Sequence, residues 1–324
     1  PAQALPEHQR VAIDVNRLAT LAILPKMKNT IEFIRGLQNA SLDDPCSKLN
    51  AAALHRLCEP HQAPLEINQP AICFAISEYF ALEHSAQDAY ERIRRSAGHC
   101  FAGDANEIPS YHQIERLIAE FTGVESIEHD MCSESCVAFT GPFSHLDNCP
   151  VCGHHRYDPI KLRTSGGRTK VALRKFVTIP LGAQLQALWR DPSHAEKMSY
   201  LQNETERVFN LLRDNGGQIG VFNDFVMGSD YIHAVDRGDI AKDDIVLMIS
   251  MDGAQLYESK QSDCWIYIWI VMNHAPGERY QKKYVLPGGF IPGPNNPKNV
   301  DSFIFPGMHH LSALQKEGLR IWNA

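Results

Sequence analysis

The sequence predicts an α+β protein assembled from several parts. Three observations predict it. Apolar residues recur at helical spacing in the first third of the chain, and four cysteines fall in two close pairs between positions 132 and 152. Two short runs rich in β-branched and aromatic residues, Ile245–Met251 and Cys264–Met272, then flank a polar bend. Runs of that length and composition read as adjacent strands buried on both faces.

Composition narrows the class. A chain of 324 residues is long enough for two or three domains, and 44% apolar with 21% charged residues is ordinary for a soluble globular protein. No apolar run approaches the roughly 20 residues of a membrane helix, so no membrane partner is expected. No basic patch precedes an apolar stretch at the N-terminus, so no secretory signal is read there. The chain opens at Pro1 and closes after Ala324, which reads as a segment of a longer protein. A net charge of −7 argues against non-specific nucleic-acid binding by the whole surface. Between Arg156 and Lys175, however, seven basic residues stand against one acid, Asp158, a local +6. That strip reads either as a phosphate-contacting arm or as a solvated face. Of nine cysteines, five (Cys46, Cys58, Cys73, Cys100, Cys264) are scattered, and they read as reduced, mostly buried thiols in a reducing compartment.

Taken in order, residues 1–124 form a helical region. Ile72, Ala75, Ile76, Tyr79 and Phe80 share one helix face, and Ser110 with Gln113 forms a capping box before Ile114, Leu117, Ile118 and Phe121. Gly123 stops that helix. Residues 125–160 form a Cys/His-rich module. Residues 161–240 form a basic arm and mixed connector, with a strand at Val171–Ile179, helical patterns through Leu185, Leu188 and Trp189 and through Val208, Leu211 and Leu212, and a break at Asn215-Gly216-Gly217. Asp224, Asp230, Asp236, Asp239, Asp243 and Asp244 lack calcium-loop spacing and read as a solvated connector. Residues 241–324 hold the two central strands, a third at Lys283–Leu286, and a Gly/Pro run without the phosphate-loop pattern. A final helix has Pro306 near its first turn, Leu311 and Leu314 facing inward, and Gly318 at its stop.

Cys132-x3-Cys136, twelve intervening residues, then Cys149-x2-Cys152 is the spacing of one closed tetrahedral site. Four thiolates saturate a zinc ion and leave no open position, so the ion would be structural. A module this short and this poor in apolar groups would draw its folding energy from the metal. A disulfide pair or a redox C-x-x-C are the competing readings, and one of His129, His145, His154 or His155 could replace a cysteine. Asp252, where the first central run meets Gly253, projects from a strand end and reads as a metal ligand or as a turn cap. Trp265, Tyr267 and Trp269 alternate along one strand face, which fits core packing or a base-stacking platform.

These residues resemble a known family. Cys-x3-Cys-Val-Ala-Phe-Thr-Gly-Pro from Cys132, Leu146-Asp-Asn-Cys-Pro-Val-Cys-Gly153 and Arg156-Tyr157 look like the zinc module of the CACTA (En/Spm-like) DNA transposases, close to fungal forms. The likeness resumes at Ser250–Tyr257, Asp263–Trp265, Pro287–Pro294 and His309–Gly318, and covers roughly residues 125–324. The resemblance implies a ribonuclease-H-like α/β core in which three acids hold two Mg2+ or Mn2+ ions for phosphodiester hydrolysis and strand transfer. Asp252 matches the first acid, and residues 241–324 would be the N-terminal part of that core, its first strands and helix. The later acids belong to elements after that helix, so the chain reads as a fragment of a cut-and-paste transposase without activity of its own. Asp263, Asp243 and Asp244 are weak candidates for a second ligand. The resemblance further implies DNA (transposon ends) as partner, and the basic strip after the cysteine module offers Arg163, Arg168, Lys170, Arg174 and Lys175 as its phosphate contacts. It also implies self-association, nuclear localisation, and no small-molecule cofactor. Two other readings stand beside it: a non-catalytic zinc-stabilised DNA- or protein-binding module, and a purely structural zinc-stabilised interaction protein.

Overall fold

Capping chemistry sets the helix ends in the computed structural model, which describes residues 13–63, 65–100, 107–255, 263–293 and 295–322. Helices α1 (Val15–Leu21) and α2 (Pro25–Gln38) start at Asp14 and at a proline respectively. Helix α3 (Ala51–Cys58) starts on Asn50, whose side chain accepts from the Ala53 amide. Helices α4 (Pro70–Ala81), α5 (Gln87–Cys100) and α6 (Tyr111–Thr122) pack around Ala75, Tyr90 and Ile114. The capping box forms as read: Gln113 Oε1 accepts from the Ser110 amide at 2.8 Å, and Gly123 ends α6 at φ 75°. On α4 the apolar stripe is incomplete, since Phe80 is exposed while Glu78 is buried. Burial, with Glu91 nearby, pushes the Glu78 carboxyl up to about 7.

Downstream come β1 (Ile127–Met131), α7 (Pro159–Thr164), β2 (Arg174–Thr178), α8 (Leu181–Trp189), α9 (Pro192–Met198), α10 (Tyr200–Asp214) and α11 (Ser229–Asp236). Strands β3 (Leu247–Gln255), β4 (Asp263–Val271) and β5 (Val285–Pro292) then form a meander, and α12 (Val300–Glu317) follows it. All five strands share one antiparallel sheet in the order β1-β2-β5-β4-β3. The fold is therefore α+β, and strands from the cysteine module, the basic arm and the last third interlock in a single sheet.

Register decides which side chains face the helices. Met131, Phe176, Ile291 and Trp265 meet Phe303 of α12, while Tyr267, Trp269, Val271 and Leu286 meet Leu181, Leu185 and Leu188 of α8. The alternating aromatics of β4 are thus core, and the base-stacking alternative falls away. The expectation that both central strands are buried on both faces holds poorly for β3. Among the described residues it is one of the two edge strands, with Met248, Ile249, Ser250 and Asp252 exposed. The polar bend between β3 and β4 lies mostly outside the described residues.

Pro306 sits well inside α12 rather than in its first turn. It has no N–H to give the Ser302 carbonyl four residues back, and that carbonyl takes the Thr140 hydroxyl instead. The next residue, Gly307, makes room for Tyr267: a Cβ there would lie 2.7 Å from the tyrosine Oη. Glycines 288 and 289 give way to the same ring, at 2.2 and 2.4 Å. Tyr267 is fully buried, and its hydroxyl has no hydrogen-bond partner among the described residues. Tyr267→Phe is accordingly expected to keep or raise the melting temperature. Gly307→Ala should cost about 1–3 kcal/mol by overpacking, and less in the Tyr267→Phe background; equal costs in both backgrounds, measured by urea denaturation, would refute the contact.

Four of the scattered cysteines also differ from expectation: Cys46, Cys58 and Cys73 are exposed and Cys264 is half-buried, while the Cys100 side chain lies outside those described.

Candidate metal centre and the acidic strand

β1 delivers the first cysteine pair. Its last residue, Met131, bridges back to Ala138, so the chain turns through Cys132–Cys136 as a tight knuckle. The turn closes through Ser135 N to Cys132 O at 2.9 Å and Cys132 N to Val137 O at 2.9 Å. Ser135 takes the left-handed region at φ 54°. The second knuckle repeats the device, with Gly153 N to Cys149 O at 2.9 Å and Cys149 N to His154 O at 2.8 Å. Gly153 there sits at φ 76°, a conformation glycine adopts without strain.

The four sulfurs converge to within 4.8 Å of one another, and Cys132, Cys136 and Cys149 are buried. Zinc–sulfur bonds of about 2.3 Å in a tetrahedron place sulfurs roughly 3.8 Å apart, so the separations fit one ion with little adjustment. The Cys132 and Cys152 sulfurs are 3.4 Å apart, and all four thiols are free. The Glu134 amide donates to Cys132 Sγ at 3.4 Å, the kind of N–H···S support that metal-bound thiolates use. Burial pushes the Cys132 thiol up to about 12. At Cys152 burial acts in the same direction, but the His154 amide and the neighbouring thiols outweigh it and hold that thiol below its ordinary range. As thiolates, four sulfurs this close would need a cation to offset their charge. The group could hold a metal ion such as zinc.

None of the flanking histidines joins this cluster. His129 lies on β1 and pairs with Thr178 Oγ1 at 2.9 Å, and burial together with the Lys48 charge pushes its pKa down to about 3. His155 bonds Asn148, and His154 faces Ser133. Nor does the module stand on metal alone. Val137, Phe139, Phe143 and the buried cysteines pack with Phe33 of α2 and Phe305 of α12. The apolar partners come from outside the module, which is why its own sequence looks too polar to fold.

Asp252 lies in mid-strand, since β3 runs on through Gln255, rather than at a strand end. It pairs with Ile266 in register, which puts it on the sheet face opposite Tyr267. It is exposed, and its Oδ1 accepts from the Gly253 amide at 2.7 Å, so the turn-capping role turns into a self-contained bond within the strand. Across the sheet its row runs through Ile266, Phe290 and Val177 to Glu128. Four strand steps of roughly 4.8 Å leave the two carboxylates about 19 Å apart, against about 4 Å between the ions of a two-metal site. Asp252 belongs to no group of three potential metal ligands among the described residues. Asp263 opens β4 opposite Gln255, but its side chain lies outside those described. Asp244 caps the Ala241 amide at 2.7 Å, ahead of the strand.

The basic strip divides. Arg174 is half-buried and donates to the carbonyls of Ser133 and Gly293, a structural tie between β2 and the first knuckle. Lys175 pairs with Glu128 at 2.6 Å and Lys170 with Asp147 at 3.2 Å, both at the surface. Arg163, at the end of α7, and Arg168, in the loop after it, are exposed and make no ion pair among the described residues. Arg156 bonds Asp130 at 2.8 Å and the Ser144 carbonyl at 2.7 Å, locking the second knuckle to β1.

Sequence reading missed one buried network. Asp224 is no solvated connector acid: Arg279, 2% exposed, grips it through two bonds of 2.9 and 2.8 Å, and Tyr200 Oη adds a third at 3.0 Å. A single acid in an acid-rich stretch and an arginine 55 residues later carry no local signal of pairing.

No protein-family model, no curated protein and no solved structure matches the chain. Among the described residues no helix is long and apolar enough to cross a membrane.

Proposed function

We propose that this chain is part of a CACTA-like cut-and-paste DNA transposase, with a zinc-stapled module and the first strands of a ribonuclease-H-like core. One observation carries the reading: an exposed aspartate, Asp252, stands on the first strand of a three-strand antiparallel meander whose following helix, α12, packs across the opposite face. That is the placement such a core gives its first metal-binding acid. A ribonuclease-H-like core has a mixed sheet, whereas the described sheet is antiparallel throughout. The outer edge of β3 is unpaired among the described residues and offers a parallel strand its place. On this reading Asp252 supplies one oxygen ligand to Mg2+ or Mn2+, and the remaining acids lie outside the described residues, so this chain alone does not cut DNA. DNA is the partner, transposon ends the substrate, the nucleus the location, and Arg163 and Arg168 the free phosphate contacts.

The test is divalent-metal-dependent nicking of DNA by this chain and by one extended past Ala324, each with and without Asp252→Asn. Nicking by the extended chain alone, abolished by Asp252→Asn, is the expected result. Nicking by this chain alone sinks the incomplete-site reading, and no nicking by either favours a non-catalytic binding module. In the same preparations Arg163→Glu with Arg168→Glu should weaken DNA binding and flatten its salt dependence by about two charges. An unchanged affinity would favour a zinc-stabilised interaction protein instead.

A further inference from the structure

The His309-His310 pair of α12 is unexplained by the reading above. His310 has a local role: its Nε2 accepts from the Gly182 amide at 3.1 Å, where α8 crosses α12. His309, 1% exposed, faces a different segment. Its Nε2 lies 3.3 Å from Asp44 Oδ2, and Cys46 Sγ completes a group whose donor atoms all lie within 4.8 Å of one another. We propose that Asp44, Cys46 and His309 form a second, labile metal site for a zinc-class divalent ion, with three protein ligands and a fourth position open to solvent.

The donor set selects the ion. A carboxylate oxygen, a thiolate and an imidazole nitrogen suit zinc and its neighbours, whereas magnesium and calcium demand oxygen. The Asp44–His309 separation already matches two ligands of one ion at about 2.0 Å each in a tetrahedron. Cys46 lies within 4.8 Å of both partners and has at most about an ångström to close, and it stands in the short 3₁₀ turn Pro45–Ser47 with its thiol exposed. On binding, the thiol passes its proton to solvent and the sulfur takes the metal.

The two halves of the site are held in place independently of any ion. Asp44 Oδ1 accepts from the Cys46 amide at 2.9 Å, which leaves Oδ2 directed at His309. Glu317 accepts from the Leu42 amide at 2.9 Å, Ser312 donates to the Leu37 carbonyl at 2.8 Å, and Lys316 donates to the Gln38 carbonyl at 2.6 Å. The segment leading into Asp44 is thus fastened along the part of α12 that follows His309. Phe305, one turn earlier on the same helix, packs on the four-cysteine module, so an ion here would clamp the N-terminal helices to the element that supports the first centre.

Alkylation of the folded, zinc-loaded chain reads the site directly, because Cys58 and Cys73 are exposed thiols that serve as internal references. One further equivalent of Zn2+ should slow modification of Cys46 by about tenfold or more, as expected for a metal-bound thiolate, and leave the references unchanged. His309→Gln and Asp44→Asn should remove the protection while the chain stays folded. Zinc released to a colorimetric chelator should fall from two equivalents in the parent to one in Cys46→Ser. Equal alkylation rates with and without zinc, or protection that survives His309→Gln, would overturn the proposal and leave Asp44–His309 as a plain hydrogen bond.

Discussion

Cys149→Ser is expected to be the most damaging single substitution in the chain, and chelation of the parent protein should reproduce its effect. Structural zinc contributes on the order of 10 kcal/mol of apparent binding free energy in small metal-dependent folds. That is comparable to the whole stability of a domain, about 5–15 kcal/mol. Here the loss would not stay local. The buried cysteines share one apolar cluster with Phe33 and Phe305, so opening the knuckles uncovers α2 and α12 as well. Thermal unfolding followed by circular dichroism, before and after a strong chelator and after zinc is restored, measures the effect. A loss of the cooperative transition, recovered by zinc, is the expected outcome. An unchanged melting curve would mean that hydrogen-bonded thiols and aromatic packing suffice without an ion.

Arg279→Leu should cost about 3–5 kcal/mol, the range for removing one partner of a buried ion pair. Its guanidinium also donates to the His274 carbonyl at 2.9 Å and lies over the Phe225 ring at 5.3 Å. Deleting it leaves Asp224 buried, 6% exposed, with only Tyr200 and the Phe225 amide for company. The pair also has a pH signature. Burial works to raise the Asp224 pKa, but the Arg279 bonds, the Phe225 amide and the Tyr200 hydroxyl outweigh it, and the net shift is downward. A carboxylate with a lowered folded pKa stabilises fully above its unfolded value of about 4 and loses that contribution as pH falls through the lowered value. Urea midpoints should therefore differ strongly between parent and Arg279→Leu at pH 7, and converge toward pH 2. A constant difference across that range would mean the arginine acts through packing alone.

Local signals in the sequence were read well where the physics is local. Ser110 and Gln113 cap a helix three residues apart, Gly123 and Gly318 stop helices by their own backbone, and β-branched runs mark β3 and β4. The cysteine spacing likewise announces convergence, because each knuckle is closed by its own amides. What escaped is set by distant partners. Nothing near Met131 or Arg174 says that their strands extend the sheet built by residues 247–292. Asp224 needs Arg279 to be read as buried, and Asp44 needs a histidine 265 residues away. Sequence alone favours Pro306 at a helix start, because proline lacks a donor there at no cost. The Thr140 hydroxyl that makes it tolerable mid-helix comes from the cysteine module. The exposure of Asp252 follows from its lying on the sheet face away from the helices and from β3 being an edge strand, properties of packing and strand order that hydrophobic pattern alone does not encode.

That outermost position bears on how the protein behaves in a tube. A nine-residue edge strand with Met248 and Ile249 in contact with water is a template for adding a strand from another molecule, and such edges are ordinarily blunted by charge. Along the described part of β3 the one formal charge is Asp252. The carboxylate at the candidate catalytic position is therefore expected to act also as a gatekeeper against polymerisation. On the proposed function, neutralising it would remove two properties at once, and a silent Asp252→Asn preparation could be silent because it has stacked into oligomers. Asp252→Glu, which keeps the charge but shifts the oxygens outward, separates metal chemistry from colloidal failure.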